Sequence, residues 1–206
     1  MRFRLTYEGE LLSSSTKTPR AKHKHEIRKA FHPQLKRLWE IEPNLRAIKT
    51  YDRSLPTIEE QNRNTQPGWV RLANLYSRNG YRFVPLATKE DPLIAGVEIL
   101  FLRPDTPGGV LKSGDIDARL KTLFDALKMP SNADELGGYD VPADGEDPFF
   151  VLLEDDGLLS HVSIETDTLL EPTPPAKGQF LVNDARLVIT VHLRPYFVKI
   201  DNTHFL

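Results

Sequence analysis

Apolar and polar side chains alternate from Arg2 onward. Phe3, Leu5 and Tyr7 fall on one side of the chain and Arg2, Arg4 and Thr6 on the other, the period of a half-buried strand over 2–11. After a break at 13–18 the period lengthens. Ile27, Phe31, Leu35, Leu38 and Trp39 recur at helical spacing, so 22–39 is predicted to form an amphipathic helix. Pro33 lacks a backbone donor and is expected to kink this helix or to start a second one. Residues 44–80 have little period and are rich in Arg, Asn, Gln and Pro, which predicts irregular chain apart from a short helix over 69–76. Order returns at Tyr81. Val97, Ile99 and Phe101 share one face of a dense apolar run at 94–102, as in an interior strand. Gly108-Gly109 marks a turn, and GDIDARLKTLFDALKMP then sets Leu120, Leu123, Phe124 and Leu127 in a helical stripe closed by Pro130. Residues 131–148 carry Gly, Asp, Pro and Ala without a period, a loop long for a compact domain. FFVLL at 149–153 reads as a short buried strand, 161–166 as another, and 185–195 alternates through Leu187, Ile189, Val191 and Leu193.

This order predicts an α+β or mixed α/β fold, a mixed β-sheet with helices packed on it. The 206 residues fit one domain, with an extended N-terminal region at 1–80, a core at 81–195 and an insertion loop at 129–148. The composition, 39% apolar and 27% charged, is that of an ordinary soluble protein. No apolar run is long enough for a bilayer span, and the start MRFRLTYEGE lacks the apolar region of a secretory signal, so a cytoplasmic setting is expected. With no cysteine, disulfides and thiolate chemistry are excluded, and a metal would have to be held by oxygen or imidazole.

The net charge of -2 hides an asymmetry: 13 basic and 6 acidic side chains up to Arg53 stand against 14 and 23 after it. Lys17, Arg20, Lys22, Lys24, Arg28, Lys29, Lys36 and Arg37 form a basic cluster suited to phosphate contacts that do not read sequence. The same residues also fit a helix with a solvated charged face. His23, His25 and His32 read as surface groups rather than zinc ligands, since positions two apart on a helix point different ways. Residues 131–156 hold nine acidic residues and no Lys or Arg, either a flap sensitive to calcium or magnesium or a solvated insertion.

Two acidic pairs carry the candidate chemistry. Asp115 and Asp117, one residue apart on a segment expected to be extended, would point to the same side and can share one cation. Lys121 lies one helical turn beyond Asp117, and Asp125 one turn further. Asp155-Asp156 follow the apolar strand, where a carboxylate is held firmly enough for a hard divalent cation. Alone, the first pair also fits an exposed salt-bridge ladder and the second a solvated acidic turn.

Taken in order, a strand ending near Arg103, D-I-D-A-R-L-K opening a helix that runs F-D-A-L, and a strand ending E-D-D, the chain resembles the RusA family of Holliday-junction resolvases over about 81–195. The family pattern is D-x-D-N-x-x-K at a helix start, D-A-L on that helix and D-D after the next strand; Asp115, Asp117 and Lys121, then Asp125-Ala126-Leu127, then Asp155-Asp156 occupy those places. The resemblance implies a RusA-like sheet, Mg2+ (with Mn2+ as a substitute) on Asp115, Asp117 and Asp156 with Asp155 beside them, and Lys121 assisting at the phosphate. It also implies a homodimer that cuts four-way junctions in DNA recombination and repair. Ala118 stands where the family has Asn, and both the 129–148 link and the region before Tyr81 are longer than the family's. Two other readings fit the same residues: a non-catalytic DNA-binding protein on the same fold, and an interaction protein whose acidic loop takes a basic partner.

Overall fold

The computed structural model describes residues 1–14, 20–51, 54, 56–104, 115–173, 181–198 and 200–205, and only the backbone of Asp115, Ile200, Asp201 and His204. In chain order the elements are β1 (Arg2–Glu10), α1 (Ala21–Ile41), α2 (Pro43–Ala47), β2 (Lys49–Thr50), α3 (Ile58–Arg63), β3 (Gln66–Pro67), α4 (Gly68–Leu75), β4 (Ser77–Arg78), β5 (Tyr81–Ala87), β6 (Leu93–Arg103), α5 (Asp115–Leu127), β7 (Phe149–Leu153), β8 (Leu159–Thr168) and β9 (Asp184–Pro195). The fold is mixed α+β. No helix is long and apolar enough to cross a membrane among the described residues.

The principal sheet has the order β1-β9-β6-β8, antiparallel except for the parallel pair β6–β8. Its register explains why the alternating sequences meet. Phe3, Val191, Val97 and Val162 form one row across the strands, Leu5, Ile189, Ile99 and Ile164 the next, and Tyr7, Leu187, Phe101 and Thr166 a third. The period of two puts these rows on one face, and the apolar members from β9 and β6 are all fully buried. The other face is polar: Arg4, Thr190, Glu98 and Ser163 make one of its rows. A smaller sheet, β4-β5-β7, pairs β5 and β7 in parallel.

Helix α1 presents two stripes. Ile27, Phe31, Leu35 and Trp39, three or four residues apart, enter the main core. His25, Arg28 and His32 form a second buried stripe against β7 and the loop before it. The helix runs through Pro33 without ending. The ring forfeits one backbone bond, a cost of about 3 kcal/mol in a helix interior. Here the apolar stripe keeps its phase on both sides of the proline, so tertiary burial of Phe31 and Leu35 offsets that loss.

Two expectations are corrected. His25 and His32 are buried, not surface groups, because β7 and the 131–148 segment cover that side of α1. That segment is a largely exposed insertion, as one of its two readings had it, and not a loose flap, since it is strapped to α1 at several points. It contains a 3-10 turn, Ala133–Leu136, ended by Gly137 in the left-handed region at φ 64°. A Cβ on Gly137 would run into the backbone of Ala21 and Lys22, so glycine is required both for its φ and for the close approach. Tyr139 donates its hydroxyl to Glu26 at 3.2 Å, Glu146 pairs with Lys29 at 2.9 Å, and the Gly145 carbonyl accepts from His32 Nε2 at 3.1 Å and from Lys36 Nζ at 3.3 Å.

Candidate active site

Helix α5 packs Ile116, Leu120, Leu123, Ala126 and Leu127 into the core, which leaves Asp117 and Lys121 on its solvent side. Beyond its C-terminal end, Met129 N donates to Leu153 O at 2.8 Å, and Lys128 bridges Leu153, so the end of α5 is drawn to the end of β7. Three residues further on, β7 delivers its acidic run to the same place. The three carboxylates of that run separate at once. Glu154 turns inward and accepts from the Tyr76 hydroxyl at 3.0 Å and from Lys89 N at 2.8 Å. Asp155 caps the 3-10 turn Asp156–Leu158 by accepting from Gly157 N at 2.9 Å. Asp156 is left with its side chain 60% exposed.

Asp117, Lys121, Asp125 and Asp156 line one open cleft of about 390 Å³, with Leu120, Phe124 and Leu159 as its apolar wall. Spacings of four along α5 set Asp117, Lys121 and Asp125 in one stripe, and the β7 exit brings Asp156 opposite. Asp117 and Lys121 have no hydrogen-bond or ion-pair partner among the described residues. Asp125, by contrast, is held by Lys24 at 2.7 Å and lies 3.8 Å from Lys128. Lys128 Nζ also lies 3.5 Å from Asp156 Oδ2, so one ammonium stands between two carboxylates at the cleft's edge.

The sequence reading needs correcting at several of its site residues. Asp115 and Asp117 both fall in the first turn of α5, not on an extended segment, so the period-two argument for a shared side does not apply. The Asp115 side chain lies outside the described residues. Asp155 is engaged as a cap and does not line the cleft. Among the described residues no three acidic or histidine side chains gather closely enough to hold a metal. Lys24 and Lys128 were missed as neighbours of Asp125. Lys128 had a local signal, three residues beyond Asp125 on a helix, whereas the Lys24 pairing spans about a hundred residues and had none.

The basic cluster of α1 is largely spoken for. Arg28 is 2% exposed. Its Nε donates to Lys128 O at 2.9 Å, its Nη2 to Asp125 O at 2.8 Å and its Nη1 to His25 Nδ1 at 3.0 Å, so it clamps α1 to the end of α5 and is withdrawn from any phosphate. Burial pulls the Arg28 guanidinium down to about 10, leaving it charged near neutral pH. Burial first and the Arg28 charge second hold His25 down to about 4, a neutral imidazole set among Tyr139, Phe149 and Tyr81. Lys24, Lys29 and Lys36 make the internal contacts given above, and Arg37 pairs with Glu40 at 3.0 Å in solvent. Arg20 and Lys22 remain exposed, and Lys17 lies outside the described residues.

No family model, no curated protein and no solved structure matches this chain.

Proposed function

We propose that the protein is a magnesium-dependent endonuclease that cleaves branched DNA, as its resemblance to the RusA resolvases implies. The observation that carries this reading is the meeting of Asp117, Lys121 and Asp156, from two elements nearly forty residues apart, in one open cleft. The donors available suit a hard cation: exposed carboxylate oxygens and no thiolate. Asp117 and Asp156 would hold the ion together with Asp115. Bound there, magnesium would polarise the scissile phosphate and lower the pKa of an attacking water.

The chain's own groups do the remaining work. Lys121, exposed one turn from Asp117, contacts the phosphate oxygens and offsets charge that develops on them. Leu120, Phe124 and Leu159 form the apolar side of the cleft. Lys24 neutralises Asp125, so this fourth carboxylate does not repel an incoming phosphate.

The test is incubation of the protein with a four-way junction and with a linear duplex of matched sequence, with and without magnesium. Cleavage confined to the junction and to the magnesium arm is the expected result; no cleavage of either DNA with magnesium or manganese would sink the reading. A second reading, DNA binding without cleavage, is favoured by the Lys128 ammonium beside Asp156 and by Ala118 in place of the family Asn. The same assay separates the two, since that protein would retard the junction and leave it intact.

A further inference from the structure

The edge of the cleft carries a cation of its own. Lys128 follows α5 directly, and its place is fixed through the backbone. Its carbonyl accepts from Arg28 Nε at 2.9 Å, and the next amide, that of Met129, donates to Leu153 O at 2.8 Å. The Lys128 side chain is only 15% exposed, so most of its stem is packed, whereas Lys121 on the cleft wall is exposed. Two carboxylates lie within reach of the Lys128 ammonium, and they are not in equal need of it. Asp125 is already balanced: Lys24 Nζ lies 2.7 Å from its Oδ2, and Lys128 stands 3.8 Å from its Oδ1. Asp156, 3.5 Å from Lys128, has no other hydrogen-bond or ion-pair partner among the described residues. Its neighbours in the acidic run are committed elsewhere, Glu154 to Tyr76 and Lys89 N, Asp155 to its cap. Lys24, Asp125, Lys128 and Asp156 thus form a ladder of alternating sign that sums to zero.

We infer that Lys128 is a positioning residue of this cleft: its ammonium holds the Asp156 carboxylate and competes with a divalent cation for it, so an internal rival sets how tightly the cleft takes the ion. The inference rests on the reading of the cleft as a cation site. An ammonium beside a carboxylate oxygen engages the lone pairs that would ligate an ion, and its charge repels the ion as well. The anchoring of residues 128 and 129 to Arg28 and Leu153 prevents the chain from carrying Lys128 away, so only the side chain can yield. Asp125 offers it little in exchange, because Lys24 has neutralised that carboxylate. Release of Asp156 therefore has a cost, and the cost lowers the affinity of the cleft for the ion.

The test uses the full chain without DNA and reads the binding of Mn2+, by calorimetry and by loss of the free ion's paramagnetic signal. Lys128→Gln is expected to bind Mn2+ about tenfold more tightly than the unaltered chain, the effect of lifting one unit charge from beside a ligand oxygen. Lys128→Arg keeps the charge and is expected to stay close to the unaltered value. In an Asp156→Asn background the gain should vanish, since the carboxylate in dispute is gone. A role confined to fastening α5 to β7 predicts the opposite sign, weaker binding in Lys128→Gln. The backbone bonds at 128 and 129 survive the substitution, and Lys128→Met, with a stem of similar length, repeats the measurement. Equal or weaker binding in both neutral variants, or a gain that persists without Asp156, would overturn the proposal and leave the cleft a cation site. Mn2+ bound by neither the chain nor its variants would remove the cation reading itself, and the proposal with it.

Discussion

Helices α1 and α5 are both amphipathic and heavily charged, and they meet side by side, yet their charges have opposite fates. On α1, Lys24, Arg28, Lys29 and Lys36 are each bonded to another part of the chain, to carboxylates or to carbonyls. On α5, Asp117 and Lys121 face open solvent in a cleft. The net charge of α1 is the greater in sequence, six basic against two acidic side chains, and it is the helix with less to offer a ligand. What distinguishes a binding group from a structural one is whether the fold supplies its partner, and a charge count along one segment cannot reveal that.

The contrast is broken most directly at α5. Asp117→Asn or Asp156→Asn is expected to reduce magnesium-dependent junction cleavage about a thousandfold or more, since metal-assisted charge stabilisation contributes several kcal/mol. Both side chains are exposed, so thermal unfolding is expected to change little. Junction affinity should hold or rise as a negative charge is lost. Undiminished cleavage in both variants would return α5 to the same category as α1.

On α1 the expected losses are of stability instead. Arg28→Met removes three donors at once and strands two carbonyls and an imidazole in the interior, a cost of about 3 kcal/mol by denaturant unfolding. A shift in DNA affinity without a change in unfolding free energy would contradict this assignment. Acid supplies a milder version. His25 is held near 4 when folded against 6.5 in an open chain, so between those values the folded state binds fewer protons than the unfolded one. The stability contributed by its neutral form is complete above about pH 6.5 and drains away as pH falls toward 4, about 2 kcal/mol or more by linkage. His32 and His23, also lowered by burial, act in the same direction. Melting temperature against pH should therefore fall across this window, and His25→Gln, which keeps an acceptor for Arg28, should flatten the fall; an unaltered profile would dismiss His25 as its main source.

The smallest effect concerns the exposed remainder of the basic face. Replacing Arg20 and Lys22 by Ala is expected to lower the salt slope of DNA binding by at most about two units, one for each phosphate contact. Replacing Lys29 instead should leave the slope alone and loosen the 131–148 strap. The reverse pattern, measured as affinity against salt concentration, would restore α1 as the principal DNA surface.

What could be read from sequence follows the range of the interaction. The strands β1, β6 and β9 and the helix α5 were legible because their apolar periods are local, and β7 because its unbroken apolar run is buried on both faces. The stripe of Asp117, Lys121 and Asp125 was legible for the same reason, although the turn around Asp117 was mistaken for extended chain. Arg28 and His32 were misread because their partners, the carbonyls of Lys128, Asp125 and Gly145 and the Phe150 amide, lie about a hundred residues away. The acidic 131–148 segment misled only in part. Glu146 and Asp147 pair with Lys29 and Arg82, distant in sequence, while Asp134, Asp140 and Asp144 are exposed as a solvated insertion would have them.

The pairing of β1 with β9 has a consequence for how the molecule is made. Arg2 lies beside His192 and Glu10 beside Asp184, so the first described strand waits for the chain to pass residue 190 before it finds its place. Until then β6 also lacks its antiparallel neighbour, and the apolar faces of both strands are bare. A sheet closed by segments so distant in sequence has a high contact order: it forms late in synthesis, slowly, and as a single event rather than by extension from one end.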